Sequence, residues 1–297
     1  MQFTVTGPFV NRTLFELAGV EVPSDVNPEV SWDEWEAAVT QVQEATGAPY
    51  AFAVDRTGHR FWGFSLSQGA EYLVDEDTVT MDTEGFRTAA ERLLRWHNDG
   101  LMPAEIWGGA AGQFAAANEY FVRGEVVFYL SGSWQVGQFT NNIDGGESPF
   151  DWSPVPNPTD VGGSTGIPGG SLMVSFKNTQ YPEQVARVMN YLASEEAYAE
   201  FCEQSLFLPA HLGLAEAGLE YPISSDKLSV FVAEIPKLSD QAYKLQYSIY
   251  TSIINTTIRD RLSQVAAGEL TLDEAIEAAQ ADIDTKIAEA QAAASSN

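Results

Sequence analysis

The sequence of this 297-residue chain predicts an α/β fold. Short runs of β-prone residues alternate with longer segments of helical periodicity, and a cluster of helical segments follows at the C-terminal end. Hydrophobic residues make up 44% of the chain and aromatic residues 11%, which is typical of a globular protein and excludes a disordered one. A chain of this length forms one large domain or two smaller ones.

The first half of the chain alternates between predicted strands and helices. Gly7-Pro8 should end the first strand, because neither residue favours a strand interior. Ser31 and Glu34 have the spacing of a capping box, which marks the start of a helix. In chain order, the predicted elements are strand 1–5, helix 13–18, a helix from 32 that Gly47 closes, strand 49–54, a loop and short helix at 55–70, a helix within 83–101, helix 114–122 and strand 125–130.

The second half begins with a stretch of different composition. Residues 140–170 are rich in Gly, Pro, Asn, Asp and Ser, so we expect a hinge or a long crossing loop there. SLMVSF (171–176) follows as a predicted strand, and Thr271 with Glu274 forms a second capping box. The predicted helices of this half lie at 182–203, about 225–236, 240–266 and 271 to about 290, and the last residues should fray.

The charge balance is strongly acidic, with 42 Asp and Glu residues against 15 Lys and Arg and a formal net charge of −27. This repulsive surface argues against nucleic acid or an anionic membrane as a partner. It suits an extracellular or high-salt setting, where ions screen the repulsion between the acidic groups. An acidic surface composition that is general in the source lineage would explain it equally well. Cys202 is the single cysteine, so no intrachain disulfide is possible, and its position predicts the inner face of a helix.

No segment of the sequence has the pattern of a membrane span or a signal peptide. No apolar run approaches transmembrane length, and MQFTVTGPF lacks the basic and apolar regions of a signal peptide. The chain is therefore either cytoplasmic or a mature or shortened product.

Enzyme motifs are absent from the sequence. His59, His97 and His211 stand at unrelated spacings, and the nucleophile-elbow, P-loop and dinucleotide-binding patterns do not occur. Carboxylate pairs such as Asp75/Asp77 are expected by chance in so acidic a chain. We therefore predict no enzymatic activity, no cofactor and no metal site.

Two tryptophans follow predicted strands, where α/β sheets bind ligands. Trp62 has Asp55 and Arg56 nearby, and Trp134 follows Ser131-Gly132-Ser133. Indole rings stack on the C–H faces of sugars, and the neighbouring polar side chains suit sugar hydroxyls. The competing interpretation is that both tryptophans pack against helices.

A glycine-rich turn gives a second indication of ligand binding. Gly169, Gly170 and Ser171 immediately precede or open the predicted strand at 171–176. Glycine lets a backbone approach a ligand closely and donate N–H groups to it. A flexible connection would have the same composition.

Four segments, taken in order, resemble the family 1 extracellular solute-binding proteins of ABC importers, which include the maltose-binding and other sugar-binding proteins. They are VNRTLFELAGVEVP with SWDEWEAAVTQVQ, then FVRGEVVFYLSGSW, then GGSLMVSFKNTQYPEQVARVMNYLASEEAYAEF, and finally AAGELTLDEAIEAAQADID. Together they cover nearly the whole chain in the order that the family shows.

This resemblance implies a type II periplasmic-binding-protein-like fold, in which two α/β lobes joined by crossing hinge strands close on a solute. It implies that Trp134 is the aromatic ligand platform and that Gly169, Gly170 and Ser171 face the ligand from the other lobe. It also implies ligand contacts from the loop that holds Asp55, Arg56 and Trp62, and from a C-terminal helix near Tyr250.

The same resemblance predicts the domain division. Residues 1–6 form a hinge strand, residues 7–158 and 222–292 form the C-terminal lobe, residues 159–221 are a remnant of the N-terminal lobe, and residues 293–297 form a disordered tail. The family has over a hundred residues before the first matching segment, so the N-terminal lobe is expected to be incomplete. Apolar surface should then be exposed on 171–176 and on the helix at 182–203.

The implied function is binding of a sugar or small oligosaccharide for delivery to an ABC permease. A polyamine or glycerol-phosphate ligand and a carbohydrate-active enzyme remain alternatives, and a sensor partner of the same fold stays open. We expect a monomer outside the cytoplasmic membrane or in the periplasm, with a lipid anchor as one option in a full-length form.

Overall fold

The computed structural model describes residues 2–73, 78–109, 112–141 and 149–295. The strands are β1 (Gln2–Asn11), β2 (Tyr50–Val54), β3 (Val126–Gly132), β4 (Trp152–Pro154), β5 (Thr159–Asp160), β6 (Gly163–Ser164), β7 (Pro168–Ser171) and β8 (Leu208–Pro209). The helices are α1 (Arg12–Ala18), α2 (Pro23–Val26), α3 (Trp32–Thr46), α4 (Gly58–Ser67), α5 (Glu84–Asn98), α6 (Ala104–Trp107), α7 (Ala117–Val122), α8 (Gln135–Phe139), α9 (Pro182–Leu192), α10 (Glu195–Ser205), α11 (Leu212–Ala217), α12 (Ser225–Glu234), α13 (Asp240–Tyr247), α14 (Thr251–Ala266) and α15 (Leu272–Ser295). The predicted α/β class is confirmed.

Strand β1 is the central element of a six-stranded sheet in which the path runs β2-β3-β1-β4. Its C-terminal half, from Thr6 onward, pairs antiparallel with β3 and β4. Its N-terminal half, up to Val5, pairs antiparallel with β7 and β8. One strand therefore carries hydrogen bonds to two separate groups of strands.

The predicted strand break at Gly7-Pro8 is wrong, because β1 continues through both residues to Asn11. Proline lacks an amide donor, but the Pro8 carbonyl still accepts a bond of 3.1 Å from Val155 N. Gly7 is required by packing, because a Cβ at this position would lie 2.6 Å from Phe231 Cε1.

Local capping signals are confirmed at the helix ends. The Ser31 side chain accepts a hydrogen bond from Glu34 N, and the Glu34 carboxylate accepts one from Ser31 N. The same reciprocal pair joins Thr271 and Glu274 at the start of α15. Gly47 ends α3 in the left-handed region with φ of 69°. These motifs depend on residues three apart, so sequence alone defines them.

The core is rich in aromatic side chains packed between the helices and the sheet. Trp32 and Trp35 on α3, and Trp96 on α5, are buried, as the helical spacing of these residues in the sequence indicates. Trp107 and Trp152 are buried too. Trp107 Nε1 donates to the Val54 carbonyl at 3.1 Å, which satisfies its polar atom inside the core.

The segment at 140–170 is only partly the loop that was predicted. Residues 142–148 lie outside the described residues, as does the carboxylate pair Asp75/Asp77. Residues 149–170 include the short strands β4, β5 and β6 and the start of β7.

The strand predicted at 171–176 is wrong. Strand β7 ends at Ser171, whose partner on β1 is Gln2, and no described strand pairs with residues 172–176. The helix predicted at 240–266 is two helices, α13 and α14, and the last helix continues to Ser295, beyond the predicted end near residue 290. Residues 296–297 lie outside the described residues.

Apolar side chains are exposed in the segment after β7 and on α9, as predicted. Leu172 is 89% exposed, Val174 66% and Phe176 75%, and none of the eleven residues of α9 is buried. In α10, by contrast, Tyr198 and Cys202 are buried against Leu214. The inner-face position of Cys202 is therefore confirmed, and burial raises the pKa of its thiol to about 11.

Candidate functional site

A cluster of polar side chains lies where the carboxyl ends of β2 and β3 meet the middle of β1. The two strands are parallel, so their ends lie at the same edge of the sheet. Asp55 follows β2 directly, and its backbone N–H donates to the Leu130 carbonyl of β3 at 3.3 Å. Thr6 of β1 pairs with Gly132 at the end of β3. Long-range strand pairing therefore assembles this cluster.

The Asp55 carboxylate is held by two hydroxyl groups. Tyr129 Oη and Ser131 Oγ each donate to it at 2.6 Å. Gln135 Nε2 in turn donates to Tyr129 Oη at 3.1 Å and to Ser131 Oγ at 3.3 Å. Burial raises the pKa of Tyr129 well above its usual value, and the nearby Asp55 charge adds to the effect. The phenol is therefore a neutral donor that orients the carboxylate.

The guanidinium of Arg60 lies at the centre of the cluster. It is only 7% exposed, and its Nε lies 3.5 Å from Asp55 Oδ2. Its Nη1 donates to Thr6 Oγ1 at 2.7 Å and to His59 Nδ1 at 2.7 Å. Burial lowers the pKa of Arg60, while the Asp55 charge acts in the opposite direction. The buried charge thus has one carboxylate partner and two neutral acceptors.

Trp134 lies directly against this guanidinium. Arg60 Cζ is 4.1 Å from the centroid of the indole ring. A Cβ at Gly132 would lie 2.1 Å from Trp134 Cζ3, so the glycine backbone contacts the same ring. The side chain is half-buried, and it follows a strand that ends at Gly132. Trp134 is therefore a fixed aromatic surface with part of its area exposed.

His59 connects the cluster to β7 and to α13. Its Nε2 donates to Gln246 Oε1 at 2.7 Å, because Nδ1 is already the acceptor of the Arg60 bond. Burial lowers the pKa of His59 to about 3, and the adjacent Arg60 charge adds to this. A Cβ at Gly169 would lie 4.0 Å from His59 Cε1 and 2.7 Å from Thr4 Oγ1. The Gly169 backbone therefore lies beside this neutral imidazole.

A cavity of ≈ 390 Å³ has Trp134 in its wall. The lining comprises Trp134, Gly137, Gln138 and Asn141 together with residues 203–207 and 222–223. The polar lining groups are mainly amides, with Glu203 as the acidic one, and no basic residue appears among the described residues of the lining. The mixture of amide and apolar lining groups suits a neutral polar molecule with one apolar face.

The structure brings together only some of the residues predicted from sequence. Trp134 and Asp55 contact the same Arg60 side chain, and Gly169 lies next to His59. Gly170 and Ser171 are exposed at the end of β7. These residues lie on both sides of the middle of β1.

Of the three other predicted residues, Trp62 lies beside the cluster, with its ring centroid 5.8 Å from that of His59, and Arg56 and Tyr250 make their contacts elsewhere. Trp62 is fully buried, and no described residue accepts a hydrogen bond from its Nε1. Arg56 stacks over Phe114 at 3.4 Å and belongs to a different cavity of ≈ 460 Å³, lined mainly by α14 and α15. Tyr250 is buried, and its hydroxyl accepts a bond of 3.2 Å from Gln291 Nε2.

Sequence reasoning missed Thr6, Arg60, Tyr129 and Gln246. The bonds from Arg60 to Thr6 and from His59 to Gln246 join residues far apart in the chain, so no local pattern reveals them. One signal was present for Arg60, which is a charged residue inside the apolar run RFWGFSL (60–66). A charge in such a run is expected to be paired in the interior.

Two negative observations apply to the described part of the chain. Within it, no group of three or more His, Cys, Asp or Glu side chains is arranged to hold a metal ion. None of its helices combines the length and apolar character that crossing a membrane requires.

Comparison with protein families gives one match over most of the chain. The model of the bacterial extracellular solute-binding proteins matches residues 3–199. A provisionally assigned binding protein of Brucella abortus (strain 2308) is 25% identical over 236 residues, which are 77% of this chain and 53% of that protein. A counterpart from Brucella suis biovar 1 matches to the same extent. The chain thus spans about half the length of the curated relatives it matches.

Solved structures show the same fold. A solute-binding protein of an ABC transporter from Thermotoga lettingae, bound to α-D-tagatose, superposes with a TM-score of 0.76 at 18% identity, over 96% of this chain and 71% of that one. The GacH receptor of Streptomyces glaucescens, solved without ligand and with acarbose, gives 0.76 at 19% identity over 96% and 69%. The sugar-binding protein MalE of Xanthomonas citri gives 0.70 at 20% identity over 100% and 72%. The predicted type II periplasmic-binding-protein-like fold is confirmed.

Proposed function

Because this chain belongs to the bacterial extracellular solute-binding proteins, we propose that it binds a sugar or small oligosaccharide for delivery to an ABC permease. The observation that carries the proposal is the placement of Trp134. Its indole is held by Arg60 and lies in the wall of a cavity with amide side chains. A pyranose presents C–H groups to an aromatic ring and hydroxyls to amides, so both kinds of contact are available.

The charges around Trp134 favour a neutral sugar over the two other small solutes. A glycerol phosphate would need basic donors, and no described residue of the cavity lining is basic. A polyamine would need several carboxylates, whereas Glu203 is the acidic residue of the lining. The buried positive charge of Arg60 behind the indole further disfavours a cation at this surface.

We propose that the ligand is held between two lobes. One lobe comprises residues 7–158 and 222–292, and the other comprises residues 159–221, with residues 1–6 as a hinge strand. The division of the β1 hydrogen bonds between two groups of strands supports this assignment. The cavity supports it too, because its lining combines residues 134–141 and 222–223 of the larger lobe with residues 203–207 of the smaller one. In this arrangement Gly169, Gly170 and Ser171 face the ligand from the smaller lobe.

The remaining elements of the proposal follow from the family. We propose that the protein acts outside the cytoplasmic membrane as a monomer, that its partner is a permease, and that it binds its ligand without chemical change. The described residues support the last point, because the Asp55 carboxylate is occupied by Tyr129, Ser131 and Arg60. A catalytic carboxylate of a glycosidase would instead face its substrate.

The experiment that tests the proposal is a calorimetric titration of the protein with a panel of mono-, di- and trisaccharides, spermidine and glycerol 3-phosphate. We expect heat from one class of neutral saccharide and none from the charged solutes. Binding of spermidine alone would refute sugar binding. Release of monosaccharide from an oligosaccharide during incubation would show that the chain is a carbohydrate-active enzyme instead.

A further inference from the structure

We infer that Arg60 is a positioning residue that fixes the Trp134 indole as a one-sided platform. The inference rests on the sugar-binding function proposed above and adds a residue that acts through the ring. The central contact is the stack of the guanidinium on the indole, with Cζ 4.1 Å from the ring centroid. Stacks of this kind are attractive because the indole face is electron-rich.

The guanidinium is held by residues of three different elements. Nη1 donates to Thr6 Oγ1 of β1 and to His59 Nδ1 of α4, each at 2.7 Å. Nε faces Asp55, which follows β2, at 3.5 Å. A planar fork with donors in fixed directions can meet all of these partners in one orientation only. Arg60 therefore has a defined position before any ligand arrives.

Burial makes that position costly to leave. Arg60 is 7% exposed, so rotation away from Asp55 would leave a buried charge without its partner. Asp55 is itself fixed by Tyr129 and Ser131. The guanidinium is thus part of the wall rather than a mobile cover.

The indole is confined by the backbone as well. A Cβ on Gly132 would lie 2.1 Å from Cζ3 and 2.3 Å from Cη2 of Trp134, so the backbone of β3 lies against the six-membered ring. Arg60 covers a face of the ring, and Trp134 also contributes to the cavity lining. A sugar would then stack on the part of the ring that Arg60 and Gly132 leave free.

Fixing the ring before binding should raise affinity, because less side-chain freedom is lost when the complex forms. Arg60→Met keeps approximately the length of the side chain. It removes the guanidinium, and with it the stack on the indole and the hydrogen bonds to Thr6 and His59. We expect this variant to bind the cognate saccharide about tenfold more weakly, the size expected for loss of a stack of this type.

A double-mutant cycle separates positioning from direct contact. Saccharide affinity is measured by calorimetry for the wild type, Arg60→Met, Trp134→Ala and the double variant. If Arg60 acts through the ring, Arg60→Met has no further effect once Trp134 is alanine. An equal loss of affinity in both backgrounds would mean that Arg60 contacts the ligand itself and would overturn the inference.

A second readout needs no ligand. In protein labelled with ¹⁵N at the indoles, the Trp134 Nε1–H signal is assigned by its absence in Trp134→Phe. We expect Arg60→Met to move or broaden that signal, whereas the matched control Arg123→Met, which removes a guanidinium stacked on Tyr120 at 4.6 Å, leaves it in place. An unchanged Trp134 signal in Arg60→Met would overturn the inference.

If that variant does not fold, the same measurement is made on Arg60→Lys, which keeps the positive charge and loses the planar guanidinium. Failure of every saccharide to bind would refute the proposed function, and the indole signal would still decide the role of Arg60.

Discussion

Tyr129 Oη donates a hydrogen bond of 2.6 Å to the Asp55 carboxylate across the parallel pair β2 and β3. Tyr129→Phe removes this donor and leaves one oxygen of a partly buried carboxylate short of a partner. We expect the free energy of unfolding to fall by about 1–3 kcal/mol, as measured by urea denaturation at pH 7. Tyr120→Phe is the matched control, since Tyr120 is only half-buried, and should change it by less than about 0.5 kcal/mol. Equal effects of the two variants would contradict this role of Tyr129.

The stability of the fold should depend on pH through His59. Its folded-state pKa is lowered to about 3, whereas in the unfolded chain it takes the usual value of 6.5. Below pH 6.5 His59 binds a proton in the unfolded state but not in the folded state. The stabilisation from His59 is therefore complete above pH 6.5 and is lost as the pH falls towards 3. Relative to His59→Gln, the wild type should lose at most about 1.4 kcal/mol per pH unit in this range. Urea denaturation of both proteins between pH 4.5 and 7.5 checks this, and parallel curves would contradict it.

Gly132 should tolerate no side chain. A Cβ there would lie 2.1 Å from Trp134 Cζ3 and 2.7 Å from the Val5 carbonyl, so Gly132→Ala must displace the indole or the strand. We expect a loss of about 1–3 kcal/mol in unfolding free energy, together with weaker saccharide binding. Gly213→Ala is the control, because its new Cβ would meet His211 at an ordinary 3.4 Å. Wild-type stability and affinity in Gly132→Ala would show that the ring is not confined.

The exposed apolar segment after β7 should promote association rather than stability. Leu172 and Phe176 are 89% and 75% exposed, so replacing both with serine should change the unfolding free energy by about 0.5 kcal/mol or less. The double variant should bind less of an apolar dye and scatter less light at high concentration, because the apolar patch is reduced. Val161→Ser, which removes another exposed apolar side chain, should have little effect on either readout. Marked destabilisation of the double variant would mean that the segment packs against the fold.

Local signals in the sequence define much of this fold. The capping pairs Ser31/Glu34 and Thr271/Glu274 each involve residues three apart, and both form as predicted. The buried tryptophans of α3 and α5 follow from helical periodicity in the same way. These features are set by the chain within one or two turns, so they need no knowledge of the tertiary structure.

The rest depends on partners that are distant in the chain. Gly7-Pro8 looks like a strand end, but β1 continues because β3, β4 and β7 supply hydrogen bonds along it. The predicted strand at 171–176 fails for the opposite reason, because no described strand pairs with residues 172–176.

The candidate site shows the same limit. The position of Trp134 after a strand was visible in the sequence, and the family resemblance indicated its role. The shell that holds the indole was not visible, since Arg60 takes its partners from β1 and from the ends of β2 and β3. Only the charge inside an apolar run hinted at it.

The most direct test of the central claim is calorimetric titration of the wild type and Trp134→Ala with the saccharide that the wild type binds, together with thermal unfolding of both proteins. Trp134 is half-buried and follows the strand end, so its loss should lower saccharide affinity by about tenfold or more while the melting temperature falls by only a few degrees, the effect of losing the packing on Arg60 and Gly132. A strong fall in melting temperature with unaltered saccharide affinity would place Trp134 in the core and contradict its role as the ligand platform.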